Sequence, residues 1–222
     1  MSQPLEKTEA PEQPRRLVDV AYEQLRDELI SLSIEPGAPL NEKELSERLG
    51  TGLTPVRDAI KRLALERLVV TFPRRGTFAT DIAVGDEAWL TEVRVELEGL
   101  AAAQAAVRAT QEERDALIEI VQLHPDGHHR SSGYLDVDTT IHRMIYAAAH
   151  NPFLADTLNQ YANLSMRIWN YGLRRMVGTA PDTCDQAEVV AAIARGDADA
   201  ARAAARAHLY DFSASVRRML NP

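Results

Sequence analysis

The chain has 222 residues, with 25 Lys and Arg against 33 Asp and Glu, one cysteine and 45% apolar residues. That apolar share excludes wholesale disorder, the lone Cys184 excludes an internal disulfide, and no apolar run reaches membrane-spanning length. The first residues lack a basic stretch followed by an apolar one, so no secretory signal is expected, and a reducing cytoplasm is the expected compartment.

Residues 1–14 are polar and hold three prolines, which predicts a disordered tail. A first unit covers 15–80. Leu17, Ala21, Leu25, Leu29 and Ile30 recur near helical spacing and predict a helix over 16–31. Glu35-Pro36-Gly37 is a turn. Asn41 is placed to cap a short helix, with Glu44 three residues on as in a capping box, and with Leu45 and Leu49 as its buried side. Gly50-Thr51-Gly52 breaks the chain. Thr54 is expected as the next N-cap with Pro55 at N1, and the helix it opens runs to Arg67 with Val56, Ile60 and Leu63 inward. Leu68 to Phe72 reads as a strand, Pro73 to Gly76 as a turn, and Thr77 to Thr80 as a return strand. Two short helices, a tight turn and a basic-tipped hairpin describe a winged helix-turn-helix.

A second unit covers 81–222, has almost no strand signal and is rich in alanine. Helices are predicted near 84–109, 111–123, 133–149, 152–177, 182–195 and 198–219, a mostly α fold closed as an antiparallel bundle. The net charge of −8 divides unevenly between the units. Residues 15–80 carry 11 basic and 10 acidic side chains, whereas 81–222 carry 13 and 20. Between Thr54 and Arg75 six basic residues face two acidic ones, a local basic patch. The global charge therefore does not exclude nucleic acid.

In the first unit PGAPLNEKELSERLG, TPVRDAIKRLALERLVV and PRRGTFAT resemble the DNA-binding domain of the GntR family of bacterial transcription regulators. The second unit resembles the FCD effector domain of the FadR-like branch, through Arg94 to Glu98, Asp138 to His142, His150 to Leu154, and the run AAIARGDADAARAAARAHL ending at Leu209. The resemblance implies a sequence-specific regulator, expected to be a repressor and a homodimer on double-stranded operator DNA. It assigns Lys43 to phosphate, Thr54 and Arg57 to the recognition helix, and Arg74, Arg75, Gly76 and Thr77 to the wing. Gly52-Leu53 stands where most relatives have Ser-Arg, which implies an altered half-site.

Asp138 and His142, four residues apart, share one face of a predicted helix, where both can reach one cation. The resemblance adds His208 as a third ligand and places Gln186 where the family has a further histidine. A neutral amide is a poorer ligand than imidazole, which leaves a weakened site of two histidines and one carboxylate, with Gln186 or water completing the shell. Three outcomes stand open: a divalent metal (zinc, nickel or manganese), a metal-free effector pocket, or a hydrogen-bonded structural cluster. His128 and His129 are expected to be solvated, and His150 to serve a helix end. Arg94, in a bundle interior, needs an anion. That anion is either Glu98, four residues on, or the carboxylate of a small organic acid effector. Helical phase puts Arg167 and Asn170 in the same pocket. Two rivals remain, an architectural DNA-binding protein without an effector and a metal-dependent hydrolase; no obvious general base accompanies the cluster, so enzyme activity is not expected.

Overall fold

A computed structural model of the chain describes residues 16–124, 132–175 and 186–220. Cys184, His128 and His129 lie outside the described residues. The first unit contains α1 (Leu17–Ile30), α2 (Glu42–Leu49), α3 (Leu53–Leu65), β1 (Val69–Phe72) and β2 (Gly76–Ala79). Ala21, Tyr22, Leu25 and Leu29 of α1 meet Val56, Ala59, Ile60 and Leu63 of α3 in one core. These two sets follow the i, i+3/i+4 rule that aligns a helix stripe with its neighbour.

Asn41 caps α2 as expected, accepting from the backbone N–H of Lys43 at 3.0 Å and of Glu44 at 3.4 Å. Glu44 returns to the side-chain amide of Asn41, at 2.7 Å, rather than to its backbone. Thr54 is not the cap of α3. The helix starts one residue earlier, at Leu53, and its N-cap is Gly52 at φ 89, a backbone angle that only glycine adopts without strain. Thr54 is left exposed on the first turn.

Strands β1 and β2 pair antiparallel with Val69 opposite Ala79 and Phe72 opposite Gly76. The sequence reading missed a further pairing: Pro39 bridges Phe78, and Leu40 donates its N–H to the carbonyl of Thr77. The segment before α2 thus braces the wing.

The second unit contains α4 (Asp86–Arg108), α5 (Gln111–Leu123), α6 (Ser132–Ala148), α7 (Pro152–Arg175), α8 (Ala187–Arg195) and α9 (Ala198–Leu220). The expected helices appear, each within a few residues of its predicted span where that span is described; the predicted 176–177 and 182–185, like the tail 1–14, lie outside the described residues. Helix α4 runs through the middle and packs along α9. Ala101, Ala102, Ala105 and Ala106 of α4, with Ala201 and Ala205 of α9, keep the two backbones close. At Gly99 an added Cβ would stand 3.1 Å from Cγ of Arg206, so the crossing is tight there and Arg206 would have to shift to admit one. Thr110 and Glu113 form a reciprocal capping box at the start of α5. His150, at φ 47 in the turn before α7, reaches the Glu113 carboxylate at 2.9 Å. Among the described residues no helix is long and apolar enough to cross a membrane.

Candidate DNA interface and buried metal centre

The side chains expected to read DNA are mostly exposed. Thr54 and Arg57 project from the first turns of α3, Lys43 from the start of α2, and Arg74 and Arg75 from the hairpin tip. The turn that carries the two arginines is tight: Arg75 donates its N–H to Phe72, Arg74 sits at φ 63 and Gly76 at φ 100. Thr77 holds Thr71 across the hairpin at 3.1 Å between hydroxyls. In the free protein Arg57 is not idle: its Nε donates to Glu42 Oε2 at 2.7 Å. Lys43 lies 4.0 Å from Glu47 and is mostly exposed. A helix terminus with an arginine beside it, flanked by a cationic hairpin, can enter a major groove while the hairpin lies along the backbone or minor groove.

The second site is internal. Helix α6 carries Asp138 and His142, α9 carries His208, and the residue before α8 is Gln186; all four are buried. His142 Nε2 lies 3.6 Å from Asp138 Oδ2, and His208 Nε2 lies 3.8 Å from Asp138 Oδ1. One ligand atom from each of Asp138, His142 and His208 falls within 4.8 Å of the other two. His142 and His208 border a cavity of about 10 Å³, together with Glu98, Tyr146 and Gln186. That is the size of a single water or ion.

The donors fit a divalent cation. Burial pushes the His208 imidazole down from its ordinary value, so it presents a neutral lone pair. Its Nδ1 is buried and has no hydrogen-bond partner. His142 differs: burial also disfavours its charge, but the Glu98 and Asp138 carboxylates outweigh burial and raise its pKa. Two carboxylates that hold a proton on a buried imidazole also favour a metal cation in its place. His142 Nδ1 faces Glu98 Oε2 at 2.9 Å, which directs Nε2 toward Asp138.

Gln186 is brought to this site and borders the small cavity. Its amide nitrogen donates to Asp138 Oδ1 at 2.7 Å, because a carboxylate can only accept. Gln186 therefore orients Asp138. Arg94 takes the first of its two expected partners. Its Nε donates to Glu98 Oε1 at 2.7 Å, both residues are 4% exposed, and Arg94 does not border the cavity. Burial raises the Glu98 carboxyl, yet Arg94 and then His142 overcome it and bring it down to about 2.

Arg167 and Asn170 do not reach this cavity, which corrects the expectation drawn from helical phase. The second half of α7 packs Ile168 and Trp169 on α9 and, on another side, lies under the first unit. Arg167 donates to the hydroxyl and the carbonyl of Thr80, each at 2.6 Å. Asn170 donates to the carbonyl of Ile30, and Arg174 to that of Ser31, each at 2.9 Å. Those carbonyls end α1, where a helix leaves acceptors unsatisfied. Leu164 of α7 packs on the core of the first unit.

Residues 17–79 match the model of bacterial regulatory proteins of the gntR family, and residues 89–211 match the FCD domain. The chain belongs to the GntR family, with an FCD domain behind its DNA-binding head. A Streptomyces ambofaciens protein named as an uncharacterized HTH-type transcriptional regulator in an unstable DNA locus is 30% identical over 203 residues, 89% of this chain and 84% of that one. The HTH-type transcriptional repressor RspR of Escherichia coli K12 is 24% identical over 200 residues, 89% and 88% of the two chains. The solved structure of E. coli McbR/YncC superposes with a TM-score of 0.77 at 20% identity, covering 92% of this chain and 99% of that one. The likeness to the solved structure is one of fold. The family and these relatives are transcriptional regulators, not enzymes.

Proposed function

We propose that the protein is a cytoplasmic repressor that binds a pseudo-palindromic operator as a homodimer and is released by a small organic acid sensed in its FCD bundle. The contacts assigned to DNA are Lys43, Thr54, Arg57, Arg74, Arg75, Gly76 and Thr77. Asp138, His142 and His208 are assigned to a divalent metal, zinc, nickel or manganese. The observation that carries the sensor reading is that one ligand atom from each of these three buried side chains lies within 4.8 Å of the others, with His142 and His208 bordering an ion-sized cavity. When bound, such a metal would supply a positive charge able to attract a carboxylate. No other cation inside the bundle offers that charge, among the described residues nearest the cavity, since Arg94 is paired with Glu98.

The chain's own residues then do three things. Glu98 fixes the ring of His142, Gln186 fixes the carboxylate of Asp138, and α6, packed on α7, links the site to the helix that grips the head. An effector shifts the equilibrium only if it binds the DNA-competent and released states unequally. Elemental analysis of protein purified without chelator should find about one divalent ion per chain, and His142→Ala should lose it. Equal, near-zero occupancy in both would sink the metal assignment. For the regulator as a whole, mobility shift on the protein's own promoter region should show binding that a metabolite acid weakens; no acid effect would favour an architectural DNA-binding role.

A further inference from the structure

The cavity beside His142 holds about one water or ion as it stands, and a second, larger cavity lies elsewhere. It measures about 490 Å³ and lies at the junction of head and bundle, between residues 80–83, the start of α4 and the middle of α7. This volume falls within the usual range for small-molecule sites. One wall is apolar: Trp89, Leu90 and Val93 of α4 face Leu164 and Ile168 of α7. Trp89 is 68% exposed, an unusual setting for the largest apolar side chain.

Helix α7 also brings Arg167 to this cavity, and Arg167 is only 2% exposed. Both of its acceptors are neutral oxygens of Thr80, and its Nε has no hydrogen-bond partner. Asp81 attracts it through space, but burial dominates and brings its pKa down to about 10. Buried arginines are ordinarily matched by a carboxylate, as Arg94 is by Glu98. Arg167 is a buried cation beside an open, apolar-walled cavity, and its two hydrogen bonds go to neutral oxygens rather than to a carboxylate.

We infer that this junction cavity is a binding site for a small apolar monocarboxylate, whose carboxylate pairs with Arg167 and whose body lies against Trp89, Leu90 and Val93. Arg67, on the rim, offers a second guanidinium. Asp81 and Asp86 line the same cavity and repel a second negative charge, which is why the ligand is a monoanion. The regulatory meaning of the site rests on the proposed effector control, whereas the site itself does not. Thr80 closes the base of the wing, its hydroxyl bonding the carbonyls of Arg67 and Leu68 at 2.9 and 3.2 Å. An acid that draws Arg167 away from Thr80 removes two of the bonds by which α7 holds the head.

The test is calorimetric titration of the full chain, without DNA, against straight-chain and aryl monocarboxylates of four to ten carbons, each paired with its neutral amide. At least one acid should bind. Its amide should bind about tenfold more weakly or worse, as should the acid to Arg167→Gln, since a charge-assisted hydrogen-bonded pair is lost in each case. Trp89→Ala covers the chance that Arg167→Gln disturbs the head: Trp89 is outside the clasp, so this variant should keep the wild-type melting curve and still bind the acid several-fold more weakly. Affinity should be unchanged by EDTA and by His142→Ala. No binding by any acid, or equal binding of acids and amides, overturns the inference. So does acid binding that His142→Ala abolishes and Arg167→Gln spares, a result that would leave the proposed metal sensor intact.

Discussion

Replacing Glu98 by Gln removes one charge from the middle of the bundle and changes little else in shape. Glu98 and Arg94 are each 4% exposed, and the second oxygen of Glu98 accepts from His142 at 2.9 Å. Removing one member of a buried ion pair leaves the other charge without compensation, a cost of about 3–5 kcal/mol. The amide of Gln can still accept from Arg94 or His142, so the lower end, about 3 kcal/mol, is expected. In a chain of this size each kcal/mol moves the melting temperature by about 2–4 °C, giving a drop of about 6–12 °C. Thermal and urea unfolding in excess chelator would measure it, so that only the protein's own contacts count. Arg94→Met in the same background removes the stranded cation, and the double variant should recover at least about 2 kcal/mol relative to additivity. A loss under about 1 kcal/mol for Glu98→Gln, or strict additivity in the double variant, would refute the claim that this pair holds the bundle's charge balance.

Arg57→Ala should weaken operator binding about tenfold to a hundredfold and flatten the salt dependence by about one contact if Arg57 touches phosphate. Mobility shifts at two salt concentrations would measure both, and unchanged binding would remove Arg57 from the interface. Thr110→Ala should cost about 1 kcal/mol of stability through loss of the α5 cap, with Thr110→Ser restoring most of it. Glu113→Gln should cost a further small amount, about 0.3–1 kcal/mol, at neutral pH. The Thr110 backbone N–H and then His150 hold the Glu113 carboxyl below its ordinary value. Its contribution is therefore present above the unfolded carboxylate pKa and is lost as pH falls through the lowered folded one. Wild type and Glu113→Gln should converge in acid; a difference that persists there would contradict the assignment.

Much of the fold was readable because its signals are local. Apolar spacing in α1 and α3, the Asn41 cap and the Asn151-Pro152 break each act within a few residues. The Arg94–Glu98 pair was readable for the same reason, as an i,i+4 contact. Glu98 bonding His142, 44 positions on, leaves no local trace, and neither does Pro39 bracing the wing. Thr54 misled because Ser, Thr, Asn and Asp are the usual caps, but a glycine at positive φ can begin a helix one residue earlier. Helical phase placed Arg167 and Asn170 correctly on α7 and still assigned them the wrong neighbours. Phase tells which residues share a face; it does not tell that a 24-residue helix serves the bundle at one end and the head at the other.

The acidic balance of the chain and the pairing of its DNA-facing cations act in the same direction. In the free protein Arg57 is held by Glu42, and Lys43 has Glu47 nearby. Transferring Arg57 from a carboxylate to a phosphate exchanges one anion for another and yields little net attraction. A base edge that accepts two hydrogen bonds from the guanidinium offers what Glu42, bonded at Nε, does not. The head is nearly neutral, and the bundle behind it repels the duplex at long range, so non-specific binding should be weak and salt-sensitive. If Arg57 reads a base as proposed, Glu42 would sharpen selection by holding Arg57 in place until a matching base competes for it. The net charge of −8 then contributes to specificity, because it lowers the background of contacts that carry no sequence information.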